Sequence, residues 1–533
     1  MAAATASSWQ TTAQIKRESL LALIPEKWRV RDIPPAEQQR NITGTFMHRY
    51  LTAREIEITE CDAVGVLERT TTGQWSAVEV HCLHEIFFEA ALDDARRLDA
   101  FFAEHQRPMG ALHGVPISLK DQFHVRGVET TMGYVGWIGS FQGVKDDARA
   151  GVFESELVGE LRALGAVLHC KTAVPATLMR AETVNNIVGY TWNPANRQLS
   201  AGGSSGGEAA LIALRGSAAG FGSDIGGSVR IPCGHNGLYG LRPSAGRIPY
   251  EGAANSMDGQ NAILSVIGPM ATSARDVKLL FQAVLSQRPW LHDPLALELP
   301  WRDEVETETL GLISQARRGG GALCFGIIHN DGACQPEPPV IEWSPPSHAR
   351  GIQLATSAYR LDNGADAREQ FGLSGERLEP FEYVFANTDP PADAQAVAAL
   401  NVAKRAYQKE YLEYWNASEA LTGTGRAVDG VIWPVAPYAA ARRDGCYYVG
   451  YTSIVNVLDY SAMAIPVTTA DAALDARGDG FAPYTDAHGV VHDLYDPQLY
   501  DGTPVGLQLV GRRFHEEKLI VLAEYISEVL RGV

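Results

Sequence analysis

A chain of 533 residues, 45% hydrophobic and 20% charged, has ample material for a globular core and falls outside the disordered, collagenous and membrane-spanning classes of composition. Its formal net charge of -18 opposes binding to nucleic acid or to an anionic membrane, and the pair Arg442–Arg443 is too small a basic patch to overturn that field. The length is compatible with two or three average domains or with one large α/β enzyme.

Residues Met1 to Gln10 carry no positive segment followed by an apolar stretch, and no apolar run reaches the roughly 18 residues a membrane span needs, so a soluble cytoplasmic chain is expected. The seven cysteines are scattered singly with no C-x-x-C pair, which predicts free packing thiols. His81 and His84 have a helical spacing that could hold a metal, but no third ligand lies near. They read as an ordinary surface or core pair, and no metal or cofactor is expected.

Residues 12–60 read as a helical arm, with Leu20, Leu21, Leu23 and Ile24 as its one dense apolar cluster before Pro25. From His84 to His105, Phe87, Ala91, Ala95, Leu98 and Phe102 recur every three or four residues, which predicts a helix with one apolar face. Val115 to Leu119 reads as a strand, Glu154 to Leu164 as a helix stopped by Gly165, and Ala166 to Cys170 as a second strand. This alternation predicts an α/β sheet. Further strands are expected at Cys324 to Ile328, Gly430 to Trp433 and Val505 to Val510, with a closing helix from Glu516 to Leu530. Between about 330 and 385 the periodicity weakens, and Pro336, Pro338, Pro339, Pro345 and Pro346 predict an irregular insertion.

The most unusual stretch is Gly202-Gly-Ser-Ser-Gly-Gly207, then an apolar run from Ala209 to Leu214, then Gly220-Phe-Gly-Ser-Asp-Ile-Gly-Gly-Ser-Val-Arg230. Glycine-rich turns beside a helix present backbone N–H groups that lack intrahelical partners and can grip an anion or a developing oxyanion. The simplest alternative is that the glycines only make tight turns. A phosphate-binding loop would end in Gly-Lys-Ser/Thr, and no lysine follows; the strict dinucleotide spacing G-x-G-x-x-G is also absent. Gly202-x-Ser204-x-Gly206 and Gly203-x-Ser205-x-Gly207 both satisfy the nucleophile-elbow pattern, with His235, His488 and His492 as unselected partners. Pattern alone therefore gives a serine hydrolase with an undecided nucleophile.

The whole run from Gly202 to His235, with Gly114-Val-Pro-Ile-Ser-Leu-Lys-Asp-Gln-Phe-His124 upstream, resembles the amidase signature family. Lys120 is followed by Ser204 and, 24 positions later, by Ser228. The region of Trp137 and the stretches Thr183 to Pro194, Gly237 to Ser244, Trp433 to Tyr438 and Gly506 to Arg512 resemble its acetamidase-like fungal branch. The resemblance implies an α/β fold: a large mixed twisted β-sheet covered by helices on both faces. It also implies an arm over residues 1–75 and one catalytic domain over 76–533, with its signature core at about 110–270.

Under that resemblance Ser228 is the acylated nucleophile, Ser204 a relay held by a cis peptide, and Lys120 the base. The N–H groups of Ile225, Gly226, Gly227 and Ser228 would face the substrate oxygen, and Leu178 would line the substrate site with its backbone. Asp224 and Arg230 would brace the loop, and Ser205 would hydrogen-bond the relay. The chemistry is self-consistent. An ammonium cannot accept a proton, and burial is what lowers a lysine from its usual value of about 10.4. For an arbitrary Lys-Asp dipeptide, a surface Lys120–Asp121 pair would be the default reading.

The expected reaction converts a small monocarboxylic amide to acid and ammonia, with a small-molecule amide as partner, no nucleic acid and no membrane; a homodimer is compatible with it. Two alternatives are a glutaminase-type subunit that supplies ammonia to a transferase and an impaired, unstable relative. The latter follows from two short segments. Between Ala77–Val80 and Cys82–Phe87, and again where Pro336–Val340 runs into Ile341–Pro346, relatives carry a further helix, in the first case of about 15 to 20 residues.

Overall fold

The computed structural model describes residues 8–26, 29–30, 33–71, 86–328, 341–446, 448–477, 483 and 485–532. Among them ten strands form one mixed sheet. They are β1 (Pro116–Lys120), β2 (Val167–Thr172), β3 (Ala219–Asp224), β4 (Tyr239–Arg242), β5 (Val266–Ala271), β6 (Phe325–Ile327), β7 (Ile341–Glu342), β8 (Gly430–Pro434), β9 (Ala462–Thr469) and β10 (Pro504–Val510). Their order is β7-β6-β8-β10-β9-β4-β5-β3-β1-β2. β1 runs parallel to β2 and β3, and β6 parallel to β7 and β8; the other neighbours are antiparallel.

Alternation along the strands shows why helices cover both faces. Ile117 and Leu119, Ala219 and Phe221, Ile267 and Ala271, Met463 and Ile465, and Leu509 share one cluster with Val277, Leu280, Phe281, Leu519 and Leu522 of the helices Ala274–Ser286 and Glu516–Leu530. The residues between them point the other way. Met270 and Ala464 meet Ala209 and Ile212 of the helix Gly206–Ala213 and Ile231 and Cys233 of the helix Arg230–Asn236. Val431, Trp433, Ala462 and Val510 meet Tyr407, Tyr411 and Trp415 of the helix Ala394–Ala417 and Ile454 of the helix Gly450–Leu458. A period of two that is apolar on both phases is the signature of a sheet buried on both sides.

Several sequence expectations shift. The arm consists of helices Trp9–Ala22, Thr45–His48, Ala53–Glu60 and Ala63–Thr71, joined by irregular chain, and its Leu21 and Leu23 are exposed. Far from being irregular, 348–386 holds the helices His348–Tyr359, Ala365–Gly372 and Glu382–Ala386 and a 3-10 turn at Glu379–Phe381. The first buries His348, Gly351, Ala355 and Ala358, small or polar residues that give little apolar spacing, and the other two have only 8 and 5 residues. Pro345 and Pro346 lie just ahead of Ser347, whose Oγ caps the first by accepting from Arg350 N–H at 3.4 Å. The pair His81–His84, the shortened segment at 77–87 up to Glu85, and Pro336–Val340 lie outside the described residues.

The helix Gly206–Ala213 docks tightly on the chain after β2. Gly207 N–H donates to the Ala173 carbonyl at 3.2 Å, and a Cβ on Gly207 would lie 2.4 Å from Ala173 N and 2.5 Å from Ala173 O. On an exposed helix, Gly→Ala gains up to about 1 kcal/mol. Here Gly207→Ala is expected to cost about 1 to 3 kcal/mol by overpacking, read as a lowered thermal midpoint; a raised midpoint would rule out this contact as limiting.

Candidate active site

Because β1 and β3 are parallel neighbours, their carboxyl ends reach the same edge of the sheet, the usual place for ligands in α/β folds. Lys120 ends β1, and Ser223 and Asp224 end β3. With Ile117 and Leu119 turned into one core, the pleat sends Ser118 and Lys120 toward the helix Gly206–Ala213. Lys120 is 0% exposed; its Nζ donates to Ser204 Oγ at 2.7 Å and to Ser223 Oγ at 2.8 Å. Ser223 Oγ in turn donates a hydrogen bond to Gln122 Oε1 at 2.5 Å.

The default Lys120–Asp121 pair does not form, for the same alternation turns Asp121 to the opposite side, where it pairs with Lys171 Nζ at 2.5 Å. Burial pushes the Lys120 amine down from 10.5 to about 7, against the pull of Asp224 and Glu208. A group of this kind is half neutral near pH 7 and can accept a proton there.

Ser204 is buried in the loop before the helix Gly206–Ala213, and its peptide bond to Gly203 is cis. The 24 positions to Ser228 are that helix, β3 and one turn, which return the chain to the same edge. The two loops are stitched together by Ser205, whose N–H donates to the Ser228 carbonyl at 3.1 Å and whose Oγ donates to the Ser223 carbonyl at 3.4 Å. Ser228, Ile225 and Gly226 are partly exposed, whereas Ser204, Lys120, Asp224 and Arg230 are buried.

Asp224 organises the turn that follows it. Its Oδ1 accepts from Gly227 N–H at 2.8 Å, and its Oδ2 from Val229 N–H at 3.2 Å and Arg230 N–H at 3.4 Å. Arg230 clasps the carboxylate with Nε at 3.0 Å and Nη2 at 2.9 Å. It then reaches the Thr452 carbonyl at 3.1 Å, Asn456 Oδ1 at 2.7 Å and Gln508 Oε1 at 2.8 Å. Burial alone would raise the Asp224 carboxyl, but the Arg230 charge, hydrogen bonds from Arg230 and Asn456, and the Arg242 charge hold it well below the usual carboxylate range.

Gly227 sits at φ +125°, and a Cβ there would lie 2.3 Å from Thr452 Oγ1, so only glycine fits. Of the four amides expected to face a substrate oxygen, Gly227 N–H is already committed to Asp224. Those of Ile225, Gly226 and Ser228 have no protein acceptor among the described residues. Tyr359 OH donates to the Ile225 carbonyl at 2.6 Å, and Thr452 Oγ1 to the Gly226 carbonyl at 2.7 Å. Since C=O and N–H point oppositely across a planar trans peptide, Tyr359 aims the Gly226 N–H and Thr452 aims the Gly227 N–H toward Asp224.

Leu178, at φ +61° after Thr177 at φ +73°, turns the chain and buries its side chain among Met132, Tyr134 and Phe371. Among the described residues no histidine is hydrogen-bonded to Lys120, Ser204 or Ser228, although the His235 ring lies beside Gly202, where an added Cβ would come within 3.1 Å of its Nδ1. His235 packs its ring against Tyr438 with burial pushing it down to about 3, and His492 faces Arg477 and Asp493. Sequence reasoning passes over Ser223, Gln122, Glu208, Tyr359, Thr452, Asn456 and Gln508. The first three lay within the quoted motifs and Gln508 within the quoted stretch Gly506 to Arg512; Tyr359, Thr452 and Asn456 come from distant segments with no local signal.

The Amidase family model matches residues 74–520. An acetamidase of Aspergillus oryzae is 40% identical over 563 residues, covering 98% of this chain and 99% of that protein, and an acetamidase of Emericella nidulans is 38% identical, covering 99% of each. A solved fatty acid amide hydrolase superposes with a TM-score of 0.86 at 28% identity, covering 98% of this chain and 95% of that one. The fold and these matches define an amide hydrolase, and the chain belongs to the amidase family. An alignment of 563 residues exceeds this chain's 533, so the A. oryzae acetamidase carries segments that this chain lacks.

Proposed function

We propose that the chain hydrolyses a small monocarboxylic amide to its acid and ammonia through an ester on Ser228. The observation that carries this reading is the fully buried Lys120 amine set 2.7 Å from Ser204 Oγ, in the loop whose next residue, Ser205, donates its N–H to the carbonyl of the more accessible Ser228 at 3.1 Å. Ser228 Oγ attacks the amide carbon as its proton moves to Ser204 Oγ, and the Ser204 proton moves to neutral Lys120. The carbonyl oxygen gains charge among the N–H groups of Ile225, Gly226 and Ser228; one such donor is worth roughly 3 to 4 kcal/mol. The proton returns through Ser204 to the leaving nitrogen, ammonia departs, and water, deprotonated along the same path, opens the ester.

Asp224 and Arg230 hold the turn in this scheme, Ser205 ties the relay loop to the nucleophile's turn, and Leu178 shapes the wall beside them. Full-length similarity to two acetamidases supports the small-amide preference. One catalytic domain over 76–533 carrying an N-terminal arm over 1–75 fits the one ten-stranded sheet, and the free thiols Cys61, Cys170, Cys233, Cys324 and Cys446 suit the reducing cytoplasm.

The test is a panel of simple aliphatic amides with ammonia release measured across pH. Activity is expected to fall on the acid side with a midpoint near 7, because protonated Lys120 cannot accept the relay proton. A folded enzyme that releases no ammonia from any member rejects the substrate class. A profile that stays flat down to pH 5 rejects Lys120 as base.

A further inference from the structure

We propose that Glu208 is a positioning residue for this reaction, its buried carboxyl setting by charge the pH at which Lys120 can take a proton from Ser204. The inference rests on the assignment of Ser228, Ser204 and Lys120 above and deepens it.

Glu208 lies in the first turn of the helix Gly206–Ala213 and is fully buried. Ser118 Oγ donates to its Oε1, and Thr172 Oγ1 donates to its Oε2 at 2.7 Å. Ser118 shares a strand face with Lys120, and Thr172 stands opposite Lys120 in the β1–β2 ladder. The carboxyl fills the space over Gly220, which is in register with Ser118; a Cβ on Gly220 would sit 1.7 Å from Glu208 Oε1. Three strands and the helix thus hold the acid beside the lysine, where a first-turn glutamate would ordinarily face solvent.

The charges around Lys120 are unequal in their freedom. Asp224, from the end of β3, is matched by Arg230 at 2.9 Å with both side chains 0% exposed. Asp121 is matched by Lys171 on the other side of the strand. Cys233, from the helix Arg230–Asn236, faces Asp224 and Glu208, and burial pushes its thiol up, so it stays neutral. Glu208 is the remaining acid acting on Lys120, and its oxygens rest on hydroxyls. Burial raises its carboxyl to about 7, against the hydroxyls of Ser118 and Thr172 and the charge of Lys120. The two groups titrate as a pair: a charged Glu208 holds the proton on Lys120, and a neutral Glu208 releases it.

The experiment measures the rate at which an activated phosphonate labels Ser228, as a function of pH, in the full-length protein. Glu208→Gln keeps the shape and can stay hydrogen-bonded, since its amide can donate to Thr172 Oγ1 while that hydroxyl turns to the Leu119 carbonyl at 3.3 Å. With the charge gone, the acid limb is expected to move to lower pH by roughly 1 to 3 units, the range of one nearby opposite charge. A Glu208 that only supports the fold would lower the rate at every pH and leave the limb in place, which overturns the proposal. Ser118→Ala is the second variant and decides the matter if Glu208→Gln does not fold. Removing that donor makes Glu208 harder to ionise, so the limb moves the same way by less; an unmoved limb again overturns the proposal. Lys120→Ala separates the two claims: wild-type labelling without Lys120 rejects the underlying assignment, whereas an inert Lys120→Ala with an unmoved Glu208→Gln limb rejects only the role of Glu208.

Discussion

Lys120→Ala is expected to lower amide turnover by on the order of 10⁴- to 10⁶-fold, the range seen when one member of a nucleophile–base set is removed from a serine hydrolase. Among the described residues the amine is the only partner of Ser204 Oγ, and it is held by a second hydroxyl, Ser223. Lys120→Met, which keeps the side-chain length, should be as inert, and this separates lost chemistry from a collapsed cavity. Ser228→Ala is expected to fall as far and to lose phosphonate labelling altogether. Because the groups act as one unit, the double variant Lys120→Ala/Ser228→Ala should be no worse than either alone. Near-normal turnover in Lys120→Ala would hand the base role to another residue.

Asp224→Ala should be the most damaging single change to stability at this edge of the sheet. It leaves the Arg230 guanidinium buried without its carboxylate and strips Gly227, Val229 and Arg230 of the acceptor that shapes the turn. Removing one partner of a buried, hydrogen-bonded pair costs roughly 3 to 5 kcal/mol, readable as a lower urea midpoint. The folded carboxyl lies well below its ordinary value, so its contribution is fully present above an unfolded pKa of about 3.9 and is lost as pH falls toward the folded one. The gap between wild type and variant should therefore be wide at pH 7 and shrink under strong acid. A gap that does not change with pH would show that the ion pair is not its source.

Local pattern carried much of this in the chain itself. The glycine–serine block marked both loops, and the strands at 116–120, 167–172 and 504–510 fall where apolar runs end at turn residues. What stayed hidden depends on distance or on context. Tyr359, Thr452, Asn456 and Gln508 reach the turn at 225–230 across more than a hundred residues; the stretch around Gln508 stood out, but not its contact with Arg230, and nothing in the neighbourhoods of the other three marks them. Glu208 has the position of an ordinary surface acid favoured by a helix N-terminus, and only the sheet packed against it reveals its burial. The amide of Gly227 looked like its three neighbours until the Asp224 carboxylate was seen to hold it. The helix at 348–359 turns small and polar residues inward, the other two of 348–386 are short, and prolines ahead of them suggested loop.

The span of the Arg230 contacts has a consequence for how the enzyme comes into being. Everything that would perform the chemistry lies between residues 118 and 230, but the clamp on that turn closes only on Thr452, Asn456 and Gln508. During synthesis the reactive loop leaves the ribosome long before its anchors exist, and a nascent chain cut between residues 230 and 452 carries Lys120, Ser204 and Ser228 without any of these three anchors. A chain that ends before β10 lacks the Gln508 contact to Arg230, so it is expected to hold this turn less firmly than the complete chain does.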